Sequence, residues 1–195
     1  MPRKNRSDWL RAGLRRLARS GIDSIRVEPL AKELGVTKGS FYWHFSDRTE
    51  LLDAMLEEWA ETATEAVIAQ AEDAGDEPQA RLKRLTTIAA EGFDAQLELA
   101  LREWGRRDRA VGGVLDEIDG RRMSYLRQLL RESGFEPIEV EARAFLLYSA
   151  LLGHALLPHS HARFSRHRVL REAVGLLLAS SSTTTTSATT SRSAT

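Results

Sequence analysis

The sequence predicts an all-α protein of about nine helices, with an N-terminal three-helix unit followed by a larger helical body. Two observations carry that expectation. Apolar residues recur three and four positions apart in nearly every segment between Leu10 and Leu178. Gly, Pro and acidic clusters interrupt that pattern only briefly, as at Ala71 to Pro78 (AEDAGDEP). A third, the distribution of charge, divides the chain. Residues 1–48 carry 11 Lys or Arg against 5 Asp or Glu, whereas the 195-residue chain as a whole is neutral. A basic head is therefore joined to an acidic body, an asymmetry that suits a polyanionic partner for the head.

The head begins with the basic residues Arg3, Lys4 and Arg6, read as a flexible arm. Ser7 is the expected N-cap of a first helix whose stripe is Leu10, Leu14, Leu17 and Ala18, with Gly21 at its end. The stretch Leu30 to Phe45 (LAKELGVTKGSFYWHF) then packs two short helical patterns around Gly35. Gly tolerates the positive φ that a chain reversal requires. Thr37 stands where a hydroxyl caps the next helix, which should start at Lys38. Phe41 and Phe45 continue the apolar set begun by Val36. Lys38, Ser40, Tyr42, Trp43 and His44 cannot all enter so small a core, so they should face outward. That pattern is a helix-turn-helix, in which the second helix enters the major groove with its first residues at base edges.

The same stretch resembles the TetR family of transcriptional regulators, whose motif is matched here by Leu30, Ala31, Gly35, Val36, Thr37, Gly39, Tyr42, His44, Phe45, Arg48 and Leu51. The chain departs from the family at Arg48, where Lys is usual, and at Arg26, where a capping Thr is common. A missing cap costs about 1 kcal/mol, which Pro29 in the first helical turn partly offsets. The resemblance implies that Thr37, Lys38, Gly39, Ser40, Tyr42, Trp43, His44 and Arg48 meet DNA. Lys38 and Ser40 are early enough for base edges, while Tyr42, His44 and Arg48 suit phosphates. Gly39, without a side chain, permits close approach.

Beyond the head, Asp47 and Glu50 have capping-box spacing, and Leu52, Met55, Leu56, Trp59 and Ala63 continue one face to about Gln70. This long helix is a candidate lever. Helices then follow around Leu82 to Phe93, Leu97 to Trp104 (divided near Gly92 and Asp94) and Val111 to Leu129, the last ending near Gly134. Pro137 opens a widely apolar helix through Leu156, and a final amphipathic helix lies between Arg163 and Ala179. These last two are the expected dimer interface. That agrees with the resemblance, which implies that they form a four-helix bundle between subunits. Trp59, Phe93, Trp104, Arg122 and Tyr125 are candidates for lining a pocket for an unidentified small-molecule effector. The expected division is residues 1–48 for DNA, 49–179 for effector and dimerisation, and 180–195 as a disordered Ser/Thr-rich tail.

Several classes are disfavoured. The chain has no Cys, which removes disulfides and thiol sensing. It has no Gly-rich phosphate loop, GxSxG or HExxH, so an enzyme is not expected. His154, His159, His161 and His167 do not show a known zinc spacing, and no metal or other cofactor is expected. The N-terminus does not read as a signal peptide and the apolar run Phe145 to Leu157 is too short to span a bilayer. The expectation is a cytoplasmic, ligand-responsive repressor that binds a palindromic operator as a homodimer. The alternative is a DNA-architectural protein without an effector.

Overall fold

A computed structural model describes residues 4–156 and 163–179. The expectations for Arg3, His159, His161 and the 180–195 tail lie outside them, as does any statement about the His154 side chain. Helix α1 (Arg6–Ser20) begins earlier than Ser7 would have it. The Asn5 amide oxygen accepts from the Asp8 backbone N–H at 2.9 Å, and the Asp8 carboxylate accepts from the Asn5 N–H at 3.0 Å. This reciprocal box satisfies two orphan amides at once, which a single Ser7 hydroxyl could not do. Gly21, at φ 71°, ends the helix.

Helix α2 (Val27–Leu34) has no side-chain cap at Arg26, and Pro29 lies in its first turn, where the absent N–H costs nothing. Gly35 takes the left-handed conformation, φ 68° and ψ 32°, and the Val36 N–H returns to Ala31 O at 2.9 Å. The chain reverses there and enters α3 (Lys38–Phe41), a short helix continued by turns to Phe45. Thr37 occupies the capping position, but its hydroxyl makes no capping bond. In so short a helix the Thr37 carbonyl closes the turn to the Ser40 N–H at 3.0 Å, and the hydroxyl is left at the surface. Phe41 and Phe45 are buried, stacked 5.4 Å apart, and Phe41 meets the Trp9 ring edge-on at 5.3 Å.

Asp47 caps α4 (Arg48–Ala60), accepting from the Glu50 N–H at 2.9 Å, while the Glu50 carboxylate reaches one residue further back, to the Ser46 N–H at 2.6 Å. A π turn, Glu61–Glu65, leads without a break into α5 (Ala66–Glu72). The expected lever is thus one helix with a widened turn in its middle. Then follow α6 (Pro78–Gly92), α7 (Ala95–Arg107), α8 (Arg109–Glu132), α9 (Pro137–Leu156) and α10 (Arg166–Leu178). Phe93 and Asp94 separate α6 from α7, with the Asp94 carboxylate capping Leu97 N–H. Counting α4, the π turn and α5 as one helix, the described residues form nine.

Packing does not divide the chain at residue 48. One apolar core runs from Trp9, Leu10 and Leu17 of α1 through Leu51, Met55 and Trp59 of α4 to Leu101, Trp104, Leu115 and Ile118 of α7 and α8. Gly13 makes the α1–α4 approach possible, because a Cβ there would lie 2.5 Å from Met55 Sδ. A second core joins Ile68, Leu82, Tyr125, Leu129, Leu130, Val140 and Leu147. Among the described residues no helix is long and apolar enough to cross a membrane, and no group of three or more His, Asp or Glu is placed to hold a metal ion.

Candidate nucleic-acid interface

Burial of Phe41 and Phe45 fixes α3 on the head, and the residues between them turn outward as a consequence. Tyr42 is 55% exposed and Trp43 is 79% exposed. An indole standing in water wants a partner with an apolar or π surface. Thr37, Lys38 and Gly39 are exposed beside them, and Ser40 and His44 are half-buried. Lys38 Nζ bonds Glu28 Oε1 at 2.9 Å, and that bond holds the ammonium above its ordinary pKa. Both side chains are largely in solvent, so the pair exchanges readily for a phosphate or a base.

Two of the predicted DNA residues have additional work within the head. The His44 Nε2–H donates to Lys4 O at 3.0 Å, which ties the N-terminal arm to the end of the recognition segment. Arg48 donates from Nε to Ile25 O at 2.6 Å and from a terminal nitrogen to Ile22 O at 3.1 Å. Its fork therefore clamps the α1–α2 connection, because a guanidinium at the start of α4 lies within reach of the Ile25 carbonyl and of the Ile22 carbonyl, which also accepts from the Ile25 N–H. It adds positive charge to the head, with Nε and one terminal nitrogen engaged by these carbonyls.

Deeper in the body lies a cavity of about 450 Å³. Trp59, Phe93, Arg122 and Tyr125 line it. Trp104 does not, since its ring is buried in the first core beside Leu101 and Leu115. At one end a polar cluster joins the two cores. Arg122 lies 5.0 Å from the Trp59 ring, donates to Thr64 Oγ1 at 2.9 Å and to Ala63 O at 3.3 Å within the π turn, and reaches Tyr148 Oη at 3.4 Å and Glu98 Oε2 at 3.5 Å. Arg102 bonds Asp119 through both terminal nitrogens at 2.9 Å and Glu98 Oε1 at 2.6 Å. Burial opposes ionisation of Asp119, but the bonds from Arg102 and Tyr148 hold its carboxyl below the usual value. Burial, with the bond to Asp119, pushes the Tyr148 hydroxyl up to about 12, so it donates throughout the working range. Burial and the bond to Glu72 likewise raise Tyr125.

Sequence reasoning missed Thr64, Glu98, Arg102, Asp119 and Tyr148. The Glu98–Arg102 pair has the i, i+4 spacing of an ordinary solvated ion pair. Nothing in the sequence marks that face as buried.

With a cation on α3 and two exposed aromatics in the turns that follow it, the head has the form of a helix-turn-helix domain. Residues 10–55 match the model of a family described as bacterial regulatory proteins, tetR family. The chain is 38% identical over 55 residues to the class D tetracycline repressor protein of Escherichia coli, a match spanning 28% of this chain and 25% of that protein. The chain thus covers about a quarter of the length of that relative. Across the whole fold it is similar to a transcriptional regulator from Rhodococcus sp. Rha1, with a TM-score of 0.69 and 21% identity, over 90% of this chain and 96% of that one. It is also similar to AibR in complex with isovaleryl coenzyme A and operator DNA, with a TM-score of 0.68 and 16% identity, over 89% and 97% of the two chains.

Proposed function

We propose that the protein is a DNA-binding transcriptional regulator, acting as a homodimeric repressor that leaves a palindromic operator when a small molecule fills the cavity. The observation that carries the DNA reading is the outward projection of Tyr42 and Trp43 next to Lys38 on a buried Phe41–Phe45 anchor. Bases and deoxyriboses offer the flat apolar surface, and phosphates the charge, that this set lacks. Lys38 and Ser40 are the base-edge candidates; Thr37, Tyr42, Trp43 and His44 are the backbone candidates, with Gly39 leaving room for the groove.

Duplication is supported by the far end of the body. Ile138 (77% exposed), Phe145 and Leu146 on α9 and Leu176 (78%) on α10 present apolar side chains to solvent, a face that a second copy would bury. Ligand response is supported by Arg122, which joins the cavity to the π turn of the helix that begins in the head. A ligand that changes the partners of Arg122 biases the position of that helix, and with it the spacing of two readers set about 34–36 Å apart.

The test is fluorescence anisotropy on the DNA upstream of the protein's own gene, with unrelated DNA of equal length as control. Selective binding by a dimer supports the regulator. Equal binding to both supports the alternative, an effector-independent architectural protein, which the excess positive charge of residues 1–48 favours. Failure to bind either at low salt contradicts both.

A further inference from the structure

We propose that the effector is an uncharged, largely apolar molecule carrying an oxygen that accepts a hydrogen bond from the Thr64 hydroxyl, and that the cavity discriminates against carboxylates and ammonium groups alike. This rests on the ligand-responsive reading above and names the class of molecule it requires. The cavity, at about 450 Å³, is of small-molecule size. Of the charged residues in its lining, Asp94 is exposed and caps the Leu97 N–H, while Glu98 and Arg122 join Arg102 and Asp119 in a cluster at one end, where the charges balance. Arg102 and Arg122 face Glu98 and Asp119, two cations against two carboxylates.

A ligand carboxylate brought to Arg122 would lie against Glu98, which is only 3% exposed. Like charges in a poorly hydrated site repel strongly. A ligand ammonium meets the opposite obstacle, since both oxygens of Glu98 already face guanidinium groups, at 2.6 and 3.5 Å. The aromatic face that would otherwise suit a cation is also taken, because the Trp59 ring holds Arg122 at 5.0 Å.

The hydroxyl groups of the lining select further. Tyr125 donates to Glu72, Tyr148 to Asp119, Thr62 to Glu58 O at 2.7 Å and Thr86 to Leu82 O at 3.0 Å. Their hydrogens are engaged. Thr64 differs, because its Oγ1 accepts from Arg122 Nε at 2.9 Å and its own hydrogen has no acceptor among the described residues. Thr64 is 3% exposed and is one of the residues lining the cavity. A buried donor without an acceptor is costly, and a ligand oxygen removes the cost.

The test is isothermal titration of the full chain, without DNA and near neutral pH, with three probes of one chain length: 1-decanol, decanoate and decylammonium. The expected result is that 1-decanol binds at least about tenfold more tightly than either ion, because each ion brings an uncompensated charge into the site. Thr64→Val should weaken 1-decanol about tenfold, and Thr64→Ser should restore it. Tighter or equal binding of decanoate or decylammonium overturns the proposal, as does failure of all three probes to bind. Unchanged 1-decanol affinity in a folded Thr64→Val variant overturns the role of Thr64. If that variant does not fold, the three probes on the unaltered chain still decide the class. No DNA is present, so the outcomes separate: a protein that selects 1-decanol yet binds no operator contradicts the regulator alone, and one that binds operator yet prefers decanoate contradicts the ligand class alone.

Discussion

The head and the body of this molecule handle polar and aromatic groups in opposite ways. In the head, Tyr42, Trp43 and Lys38 stand in solvent while Phe41 and Phe45 hold them from beneath. In the body, Arg102, Arg122, Glu98 and Asp119 are drawn inward and pair with one another, though Arg102 Nε is left without a partner. A surface that keeps its interacting groups in solvent is suited to a large external partner. A partly buried ion-pair network is suited to holding two cores in register and to sensing what enters between them. The two regions are not independent, because the core of the head includes Trp104, Leu115 and Ile118 of the body.

Substitutions should separate the two regions. The largest effect is expected from Arg122→Met, which leaves Glu98 with one cation and frees Thr64 and the π turn. A loss of about 3 kcal/mol in urea-denaturation stability follows from breaking a buried ion pair. A loss below 1 kcal/mol would mean that the network does not join the cores. Tyr42→Ala or Lys38→Ala should do the reverse, weakening operator binding about tenfold to hundredfold while the melting temperature and dimer content stay at the parental values. Equal loss at unrelated DNA would show contact with phosphates only. Arg48→Ala sharpens the comparison, since it removes a brace within the head. It should lower stability by about 1–2 kcal/mol through the Ile25 carbonyl left without its partner and the lost second bond to Ile22 O. A large affinity loss at unchanged stability would return Arg48 to the DNA contacts.

The smallest effect concerns pH. The Asp119 pKa is depressed in the folded state, so its contribution is present above the ordinary carboxyl value of 3.8 and is lost as pH falls through the lower folded value. Asp119→Asn should therefore flatten the acid limb of stability measured by urea denaturation below about pH 4. An unchanged limb would assign acid sensitivity to other carboxylates.

The head was legible because its constraints are local. Gly35 must take positive φ, Phe41 and Phe45 must go inward, and sixteen residues then leave few choices for the rest. Even there, Trp9 escaped notice, since it follows the polar Asn5–Asp8 start and precedes the apolar stripe that was read. The Thr37 hydroxyl and the Arg48 fork were assigned by position, and their bonds depend on how neighbouring carbonyls are satisfied in three dimensions. The body was legible as helices but not as a site. Trp59 and Trp104 both follow helical spacing and both belong to the first core, yet only Trp59 also lines the cavity. The π turn at Glu61–Glu65 carries no Gly or Pro to announce it. Glu98 is indistinguishable in sequence from the solvated acids on either side.

The central claim is that two copies of this head read one duplex through the side chains after Thr37. Hydroxyl-radical footprinting of the unaltered protein on its upstream DNA tests it most directly. Two protected half-sites with centres one helical turn apart, about 34–36 Å, both abolished by Tyr42→Ala, are the predicted result. A single protected segment from a monomer, or protection that survives the substitution, would contradict it.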